Sequence, residues 1–224
     1  MSEAVLTVAR RQLGEVGPAA LSLRAIAREV GVVPSALYRY YSGRDAILTA
    51  LIRTSYDRLG EAVETAEATL PRPALLDRWT STWAAARRWA VTHPHEYALL
   101  YGTPVLGYAA PTETITPALR VVTLLARIAI DAIMAGATPA APSVPTPPAV
   151  QTDIEAIRAQ FPALGLGAAT PDLDPIIPAV IESWTTLFGA ISFEVFRHYR
   201  QSIDHPEEYL THLAGTAAHR LGIR

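Results

Sequence analysis

The stretch LSLRAIAREVGVVPSALYRYYSGRDAIL, residues 21–48, decides the fold expected at this end of the chain. Ser22 is a good helix N-cap, apolar residues at positions 23, 26, 27 and 30 then follow helical spacing, and Gly31 ends the run. Pro34 suits the first turn of another helix, and Ser42-Gly43 marks the next break. We therefore predict two short helices joined by a tight turn that contains a glycine.

A supporting helix precedes this pair and a long helix follows it. Apolar residues at positions 5, 6, 9, 13 and 16 predict a first helix that ends near residue 16. From Arg44 an amphipathic run continues to about Leu70, where Pro71 and Pro73 end it. This fourth helix is expected to bridge two domains.

The remainder of the chain also has helical spacing. Helices are predicted at residues 75–92, 116–135, 153–161, 175–201 and 206–221, with a short turn at 95–101 and a mobile or extended proline-rich surface loop at 138–150. Because no strand-period alternation competes, we predict an all-α protein. An N-terminal helix-turn-helix domain of three helices, residues 1–53, is joined by the long helix to a C-terminal helical bundle within residues 54–224.

The net charge of −2 conceals an uneven distribution. Residues 1–53 carry a balance of +3 from seven arginines and four acidic residues, whereas residues 54–224 carry −5. This split indicates a basic module on an acidic body. The chain has no cysteine, which excludes disulfides and thiolate metal sites.

The N-terminal residues and the hydropathy of the chain predict a cytoplasmic location. Residues 1–11 carry Glu3 and lack the apolar core of a secretory signal. No stretch of about twenty residues is apolar without charge or proline, so no membrane-spanning helix is expected. We expect a cytoplasmic protein with no membrane partner.

The third helix is predicted to have two distinct faces. Its inward face holds Val33, Leu37, Tyr40 and Tyr41, and its outward face holds Pro34, Ser35, Tyr38 and Arg39. The outward face suits a DNA major groove, because an arginine can pair with guanine and a phenol can reach a phosphate. In a helix-turn-helix the second helix of the motif occupies that groove. Positive charge would flank it at Arg24, Arg28 and Arg44.

Residues 5–52, and above all residues 21–48, resemble the DNA-binding domain of the TetR family of transcriptional regulators. The resemblance includes Ala27, the Gly31-Val32 pair, Leu37-Tyr38, the aromatic pair Tyr40-Tyr41 and the Arg44-Asp45 pair that starts the fourth helix. The region WAVTHPHEYALLYG, residues 89–102, is similar to the regulatory domain of some members, which is named the WHG type after residues such as Trp89, His93 and Gly102 here.

This resemblance implies roles for individual residues. Ser35 and Arg39 read bases, Tyr38 and Tyr40 contact phosphates, Arg24 reaches a base edge or a phosphate, and Ser22 and Arg44 contact the backbone. Ala36 stands where a polar residue is common and can touch only a thymine methyl group. Val33 stands where Ser or Thr often caps the recognition helix. The predicted DNA-binding set is therefore Ser22, Arg24, Arg28, Pro34, Ser35, Ala36, Tyr38, Arg39, Tyr40 and Arg44.

The family keeps its effector site inside the C-terminal bundle, so aromatic and histidine side chains there are candidates for lining it. Their spacing is also that of ordinary core residues, and that alternative stays open. The candidate ligand-binding residues are Trp83, Trp89, His93, Tyr97, Tyr101, Tyr108, Trp184 and Phe188.

No catalytic, metal or cofactor site is predicted. His93, His95 and Glu96 are near one another in sequence, but Pro94 separates the two histidines and spacing places no third ligand. The chain has no phosphate-binding glycine loop, nucleophile elbow or H-E-x-x-H motif.

We expect a homodimeric regulator, more often a repressor, that a small apolar or amphipathic effector releases from a palindromic operator in double-stranded DNA. The dimer interface is expected in the last two helices. Two alternatives remain: a helical small-molecule binding protein without specific DNA recognition, and a helical enzyme that uses residues 93–101. The apolar surface expected to serve both the core and the partner consists of Ile176, Ile177, Val180, Ile181, Trp184, Leu187, Phe188, Ile191 and Phe196.

Overall fold

The fold is all helical, as predicted. A computed structural model describes residues 2–140 and 145–224, and this part of the chain contains eleven α-helices and no β-strand. It divides into two compact units, which comprise residues 2–60 with 89–118, and residues 61–88 with 119–224. Helices α4 (Arg44–Ala68) and α5 (Leu75–Thr92) each contribute residues to both units.

The first unit contains the N-terminal helices. Its core is a cluster of buried apolar side chains from α1, α2, α3 and the start of α4, among them Ile26, Leu37 and Leu48. The helices that lie wholly or partly in this unit are α1 (Ser2–Val16), α2 (Leu23–Val30), α3 (Pro34–Tyr38), α4 (Arg44–Ala68), α5 (Leu75–Thr92), α6 (Pro94–Tyr101) and α7 (Ile115–Ala118).

The second unit packs its helices around α10. This helix contacts α8, α9 and α11, and its side chains Leu187 and Ile191 are completely buried. Besides the ends of α4 and α5, the unit contains α8 (Arg120–Met134), α9 (Pro148–Ala159), α10 (Ile176–Val195) and α11 (Pro206–Arg220).

Most predicted helices agree with the structure, and the differences occur where a proline or a tight turn sets a boundary. Residues 95–101 form a true helix, α6, because Pro94 occupies its first turn. The segment predicted at 116–135 is divided between α7 and α8. The segment predicted to reach 201 ends at Val195, just before Arg197 adopts a left-handed backbone with φ 61°.

The proline-rich segment is only partly the loop that was predicted. Residues 141–144 lie outside the described residues. Ala140 donates a backbone hydrogen bond of 2.8 Å to the carbonyl of Arg220, which ties this segment to the end of α11. Residues 148–150 are helical, because Pro148 can start α9 where its missing N–H is not needed.

The first unit extends beyond the residue 53 boundary expected from the sequence because a buried carboxylate ties α6 to α1 and α4. Glu96 of α6 accepts hydrogen bonds from the Ser55 hydroxyl at 2.8 Å and from the Arg58 guanidinium at 2.7 Å. The Arg10 side chain of α1 lies 3.5 Å from the same carboxylate. Residues 89–118 therefore form one unit with the N-terminal helices.

In the second unit, a buried arginine joins three helices through its side-chain contacts. The Arg78 side chain is inaccessible to solvent, and its Nε donates to Glu67 at 2.6 Å. It also lies 2.8 Å from Asp131 of α8 and donates to the backbone carbonyl of Arg72 at 2.8 Å. Arg78 thus joins α5 to the end of α4 and to α8.

Helix α10 departs from the expectation that no helix could span a membrane. Its length and composition would suit such a span. Its apolar side chains instead pack against α8, α9 and α11, as those of a core helix do. Packing within the second unit therefore accounts for the apolar composition of α10.

We predict that Arg78→Met lowers the free energy of unfolding by about 2 to 4 kcal/mol, because it leaves the partly buried carboxylates of Glu67 and Asp131 without the buried cation that they share. Urea denaturation provides the measurement. Arg72→Met is the matched control, since Arg72 pairs with the same Asp131 but is 69% exposed, and its loss should cost less than about 1 kcal/mol. Equal losses in the two variants would contradict the role assigned to Arg78.

We also predict that Glu96→Gln destabilises the first unit by about 1 to 3 kcal/mol, a value discounted because Arg58 is partly solvated. Hydrogen exchange of α1 and α6 amides should accelerate in this variant. Glu15→Gln removes an exposed carboxylate that faces Arg11 and is the control, for which no measurable change is expected. Unchanged exchange in Glu96→Gln would refute the tie between α1 and α6.

Candidate nucleic-acid interface and bundle cavity

Helix α2 is held at both ends by the residues predicted to cap it. The Ser22 hydroxyl accepts a hydrogen bond from the Ala25 backbone N–H at 3.3 Å. Gly31 ends the helix in a left-handed backbone with φ 77°, a conformation that glycine adopts readily because it has no Cβ. The next N–H, that of Val32, donates to the carbonyl of Ala27 at 2.9 Å and closes the turn.

Helix α3 has only five residues, and buried side chains at one edge hold it in place. Leu37 is 1% exposed and packs in the core formed with α1, α2 and α4, and Tyr41 just beyond the helix is also buried. Pro34, Ser35, Tyr38 and Arg39 are exposed, as predicted for the outward face. The sequence therefore placed these six side chains on the correct sides.

The prediction was wrong for Val33 and Tyr40, which are 65% and 64% exposed. Helical spacing does not extend to either position. Val33 is the N-cap residue, with an extended ψ of 142° and no side-chain cap, and the helix ends at Tyr38 before Tyr40 is reached. Both side chains consequently join the exposed surface around α3.

Three arginines on this surface have no acidic partner. Arg24 and Arg28 on α2 and Arg39 at the end of α3 are exposed, and none of them pairs with a carboxylate within the described part of the chain. In the second unit, by contrast, four arginines on three helices pair with acids: Arg78 with Glu67 and Asp131, Arg87 with Glu194 and Glu207, Arg120 with Glu64, and Arg158 with Asp174. The α2–α3 surface therefore presents cations that are not neutralised.

Two predicted DNA contacts, Arg44 and Ser22, also have structural roles. Arg44 is half-buried, and its Nε donates to the backbone carbonyl of Pro18 at 3.2 Å, so it also supports the loop before α2. Ser22 uses its hydroxyl as the cap of α2. Ala36 is half-buried on α3 and offers only a methyl group.

Five predicted effector residues lie in the first unit and make defined contacts there. Trp89 stacks on His93 with ring centroids 5.2 Å apart, and the Arg58 guanidinium lies 3.1 Å from Nε2 of that histidine. The rings of Tyr97 and Tyr101 lie with their centroids 5.0 Å apart and are tilted by 31° relative to each other. Tyr108 forms a hydrogen bond of 2.9 Å with Thr49. Burial, with smaller contributions from Tyr56 and Tyr97, raises the pKa of Tyr101 well above its ordinary value, so its phenol stays neutral.

The other three predicted effector residues lie in the second unit. Trp83 packs beside Trp79, with ring centroids 6.3 Å apart, and Phe188 meets Trp184 edge to face at 6.4 Å. Trp184 alone among the eight candidates lines a cavity of about 130 Å³ that we name the bundle cavity. Three stretches of the chain contribute its lining residues, which are Leu119, Val122, Thr123, Ala126, Ile157, Gln160, Phe161, Leu164, Leu166, Ile176, Ile177, Val180, Ile181 and Trp184.

Most of the cavity wall could not be predicted from sequence patterns, because aliphatic side chains from three separate segments form it. The indole N–H groups of Trp83, Trp89 and Trp184 are buried without a hydrogen-bond partner in the described residues. Among those residues, no three histidines, aspartates or glutamates cluster as a metal site.

Family models match the chain at both ends. Residues 5–51 match the model described as bacterial regulatory proteins of the tetR family. Residues 79–217 match the model described as the tetracyclin repressor-like C-terminal domain. Together these matches cover the α2–α3 surface and the bundle cavity.

Curated relatives agree with the family models. The chain is 39% identical over 199 residues to the HTH-type transcriptional regulator Rv1816 of Mycobacterium tuberculosis, a match that covers 87% of this chain and 80% of the relative. The same values apply to the regulator Mb1846 of Mycobacterium bovis.

Solved structures share the fold. SCO4313, described as a candidate regulatory protein, superposes with a TM-score of 0.70 and 25% identity over 96% of this chain and 93% of its own. A bacterial regulatory protein of the tetR family from Rhodococcus RHA1 gives a TM-score of 0.62 and 17% identity, covering 100% and 97% of the two chains. With an exposed cationic helix-turn-helix and family matches at both ends, this chain belongs to the TetR family of DNA-binding transcriptional regulators.

Proposed function

We propose that the chain is a cytoplasmic homodimeric repressor that binds a palindromic operator and leaves it when a small effector binds the second unit. The observation that carries this proposal is the set of unpaired guanidinium groups at Arg24, Arg28 and Arg39. Cations without acidic partners can displace counterions from the DNA backbone, whereas cations already paired cannot do so without breaking a salt bridge. The proposal assigns no catalytic residue.

Within the groove, each exposed group has a chemical task. Arg39 can donate two hydrogen bonds to guanine O6 and N7, and Ser35 can donate to or accept from a base edge. Arg24, Arg28, Tyr38 and Tyr40 suit phosphates, which fix register without reading sequence. Val33 adds an apolar group that could meet a thymine methyl, as Ala36 could.

A dimer is required because a five-residue helix contacts too few bases for specificity on its own. Two copies would address half-sites about 34 to 36 Å apart, one turn of DNA. Most of the α10 side chains expected at the interface are buried within the chain's own core, including Ile176, Leu187 and Phe188. We therefore assign the interface to the opposite face of α10.

That opposite face has properties that favour helix packing between copies. Phe193 is 51% exposed, and Gly189 lies one turn before it with no side chain to hold a partner away. On α11 the exposed His212 and His219 lie one turn before and one turn after Gly215. Two such helices from each copy would form a four-helix contact with two-fold symmetry.

Release from the operator follows from the thermodynamic coupling between effector binding and DNA binding. An effector that binds one conformer of the second unit more tightly shifts the population toward it. A coupling free energy of about 1 to 3 kcal/mol changes DNA affinity by roughly 5- to 150-fold. Helix α4 carries residues of both units along one continuous backbone, which makes it the simplest connection between effector and recognition helix.

The decisive experiment is sequencing of genomic DNA fragments that the purified full-length protein retains. We expect a palindromic sequence to be enriched. Retention of no specific sequence would favour the alternative of a helical small-molecule binding protein without DNA recognition.

We predict that Arg39→Ala costs about 1 to 3 kcal/mol of operator affinity and relaxes preference at one base pair, since it removes a base contact. Arg28→Ala should weaken all sequences alike and reduce the slope of log affinity against log salt by about one. Fluorescence anisotropy with operator variants at several salt concentrations measures both effects.

Arg127→Ala is the control for these variants, because Arg127 is also exposed and lies on α8 of the second unit. Its affinity and salt slope should match those of the wild type. Arg44→Ala is a less direct probe, since it also removes the hydrogen bond to Pro18. Unchanged binding in both Arg39→Ala and Arg28→Ala would refute the assigned interface.

We predict that Phe193→Arg converts the dimer to a monomer, because it places a charge in the apolar centre of the interface. Light scattering after size-exclusion chromatography gives the mass. Glu155→Arg, at an exposed position on α9, is the control and should remain dimeric. A Phe193→Arg variant that stays dimeric would place the interface elsewhere.

A further inference from the structure

The bundle cavity has a chemical character that narrows the class of effector. None of its fourteen lining residues is charged, and its exposed wall is almost wholly apolar. Thr123 and Gln160 add the polar groups besides the Trp184 indole. A carboxylate, phosphate or ammonium placed there would lose its hydration with no opposite charge to compensate, which is strongly unfavourable. The wall therefore selects uncharged molecules.

One hydrogen-bond donor in this wall is unused. The Nε1–H of Trp184 is buried and has no partner within the described residues. Because leaving a buried donor unsatisfied is unfavourable, a hydrogen bond from this N–H to an acceptor on a bound molecule stabilises the complex more than the same bond from a donor that already has water as its partner. A carbonyl or ether oxygen on a bound molecule would supply that acceptor.

The size of the cavity identifies a small molecule as its occupant. A cavity of about 150 Å³ lined by aliphatic and aromatic side chains holds benzene in other proteins, and the bundle cavity measures about 130 Å³. A helix or a second copy of the chain would need a surface of several hundred Å² to bind stably. The volume instead fits a single ring.

We propose that the bundle cavity binds an uncharged, ring-sized apolar molecule with one hydrogen-bond acceptor, and that Trp184 Nε1–H donates to that acceptor. This inference deepens the proposed function, because it assigns the effector to a chemical class. Only the expected effect of this binding on DNA affinity rests on the proposed function. Binding itself can be measured without DNA.

Three probes with the same six-membered ring test the inference on the full-length protein. Cyclohexanone has the ring and an acceptor, methylcyclohexane lacks the acceptor, and cyclohexanecarboxylate carries a charge. Saturation-transfer NMR titrations should show binding of cyclohexanone, weaker binding of methylcyclohexane and none of the carboxylate. Failure of cyclohexanone to bind, or equal binding of the carboxylate, would overturn the inference.

The variant Trp184→Phe keeps an aromatic ring but removes the donor. Cyclohexanone should bind it roughly fivefold more weakly, the worth of one hydrogen bond, while methylcyclohexane binding stays within a factor of two of the wild type. Equal affinity of cyclohexanone for the wild type and the variant would show that Trp184 does not donate a hydrogen bond to the bound molecule.

Two substitutions by leucine test whether cyclohexanone binds in the bundle cavity. Ala126→Leu fills the cavity from α8 and should abolish binding, whereas Ala163→Leu adds the same atoms at an exposed position outside the wall and should leave it intact. Thermal unfolding of both variants verifies that they fold. Persistent binding in a folded Ala126→Leu protein would place the probe elsewhere.

DNA retention measured in parallel separates the two proposals. Specific retention of genomic fragments without cyclohexanone binding would refute the cavity assignment and leave the regulator intact. Cyclohexanone binding without any specific retention would refute the regulator and leave the cavity assignment intact.

Discussion

The burial of Leu37 is the constraint on which the DNA-binding surface depends. Helix α3 is too short to be stable alone, because nucleation of a helix is unfavourable and five residues return few hydrogen bonds. Full burial of one leucine contributes about 1.5 to 3 kcal/mol, and here it attaches the helix to the core of α1, α2 and α4. With that edge held inward, Ser35 and Arg39 can only face solvent.

Charge pairing divides the arginines of this protein by task. Arg78 is buried and pairs with Glu67 and Asp131, so it acts as part of the scaffold. Arg87 is similar: hydrogen bonding to Glu194 raises its pKa above the ordinary value, which keeps it charged. Arg24, Arg28 and Arg39 have no such partner among the described residues and remain available to a polyanion. The same residue type thus supports the scaffold where acids lie near it, as Arg58 does beside Glu96 and Arg78 beside Glu67, and presents free positive charge where they do not.

Prediction from the sequence succeeded where local rules decide the structure. Capping by Ser22, termination at Gly31 and the bounds of α5 at residues 75 and 92 follow from short-range patterns. It failed for Val33 and Tyr40 because helical spacing was extended beyond a helix of five residues. The bundle cavity was the hardest feature to predict, since aromatic spacing drew attention to residues of both units while aliphatic residues form most of the cavity wall.

The sequence by itself determined the all-α class, the helix-turn-helix and the family, because helix periodicity, caps and turn residues act between neighbours in the chain. Only the tertiary structure decided that Glu96 joins α6 to α1 and α4, that Arg78 is buried, and that Trp184 lines a cavity while its indole N–H has no partner in the described part of the chain. Each of these depends on contacts between residues far apart in sequence. Such contacts arise from packing and desolvation, which no local pattern specifies.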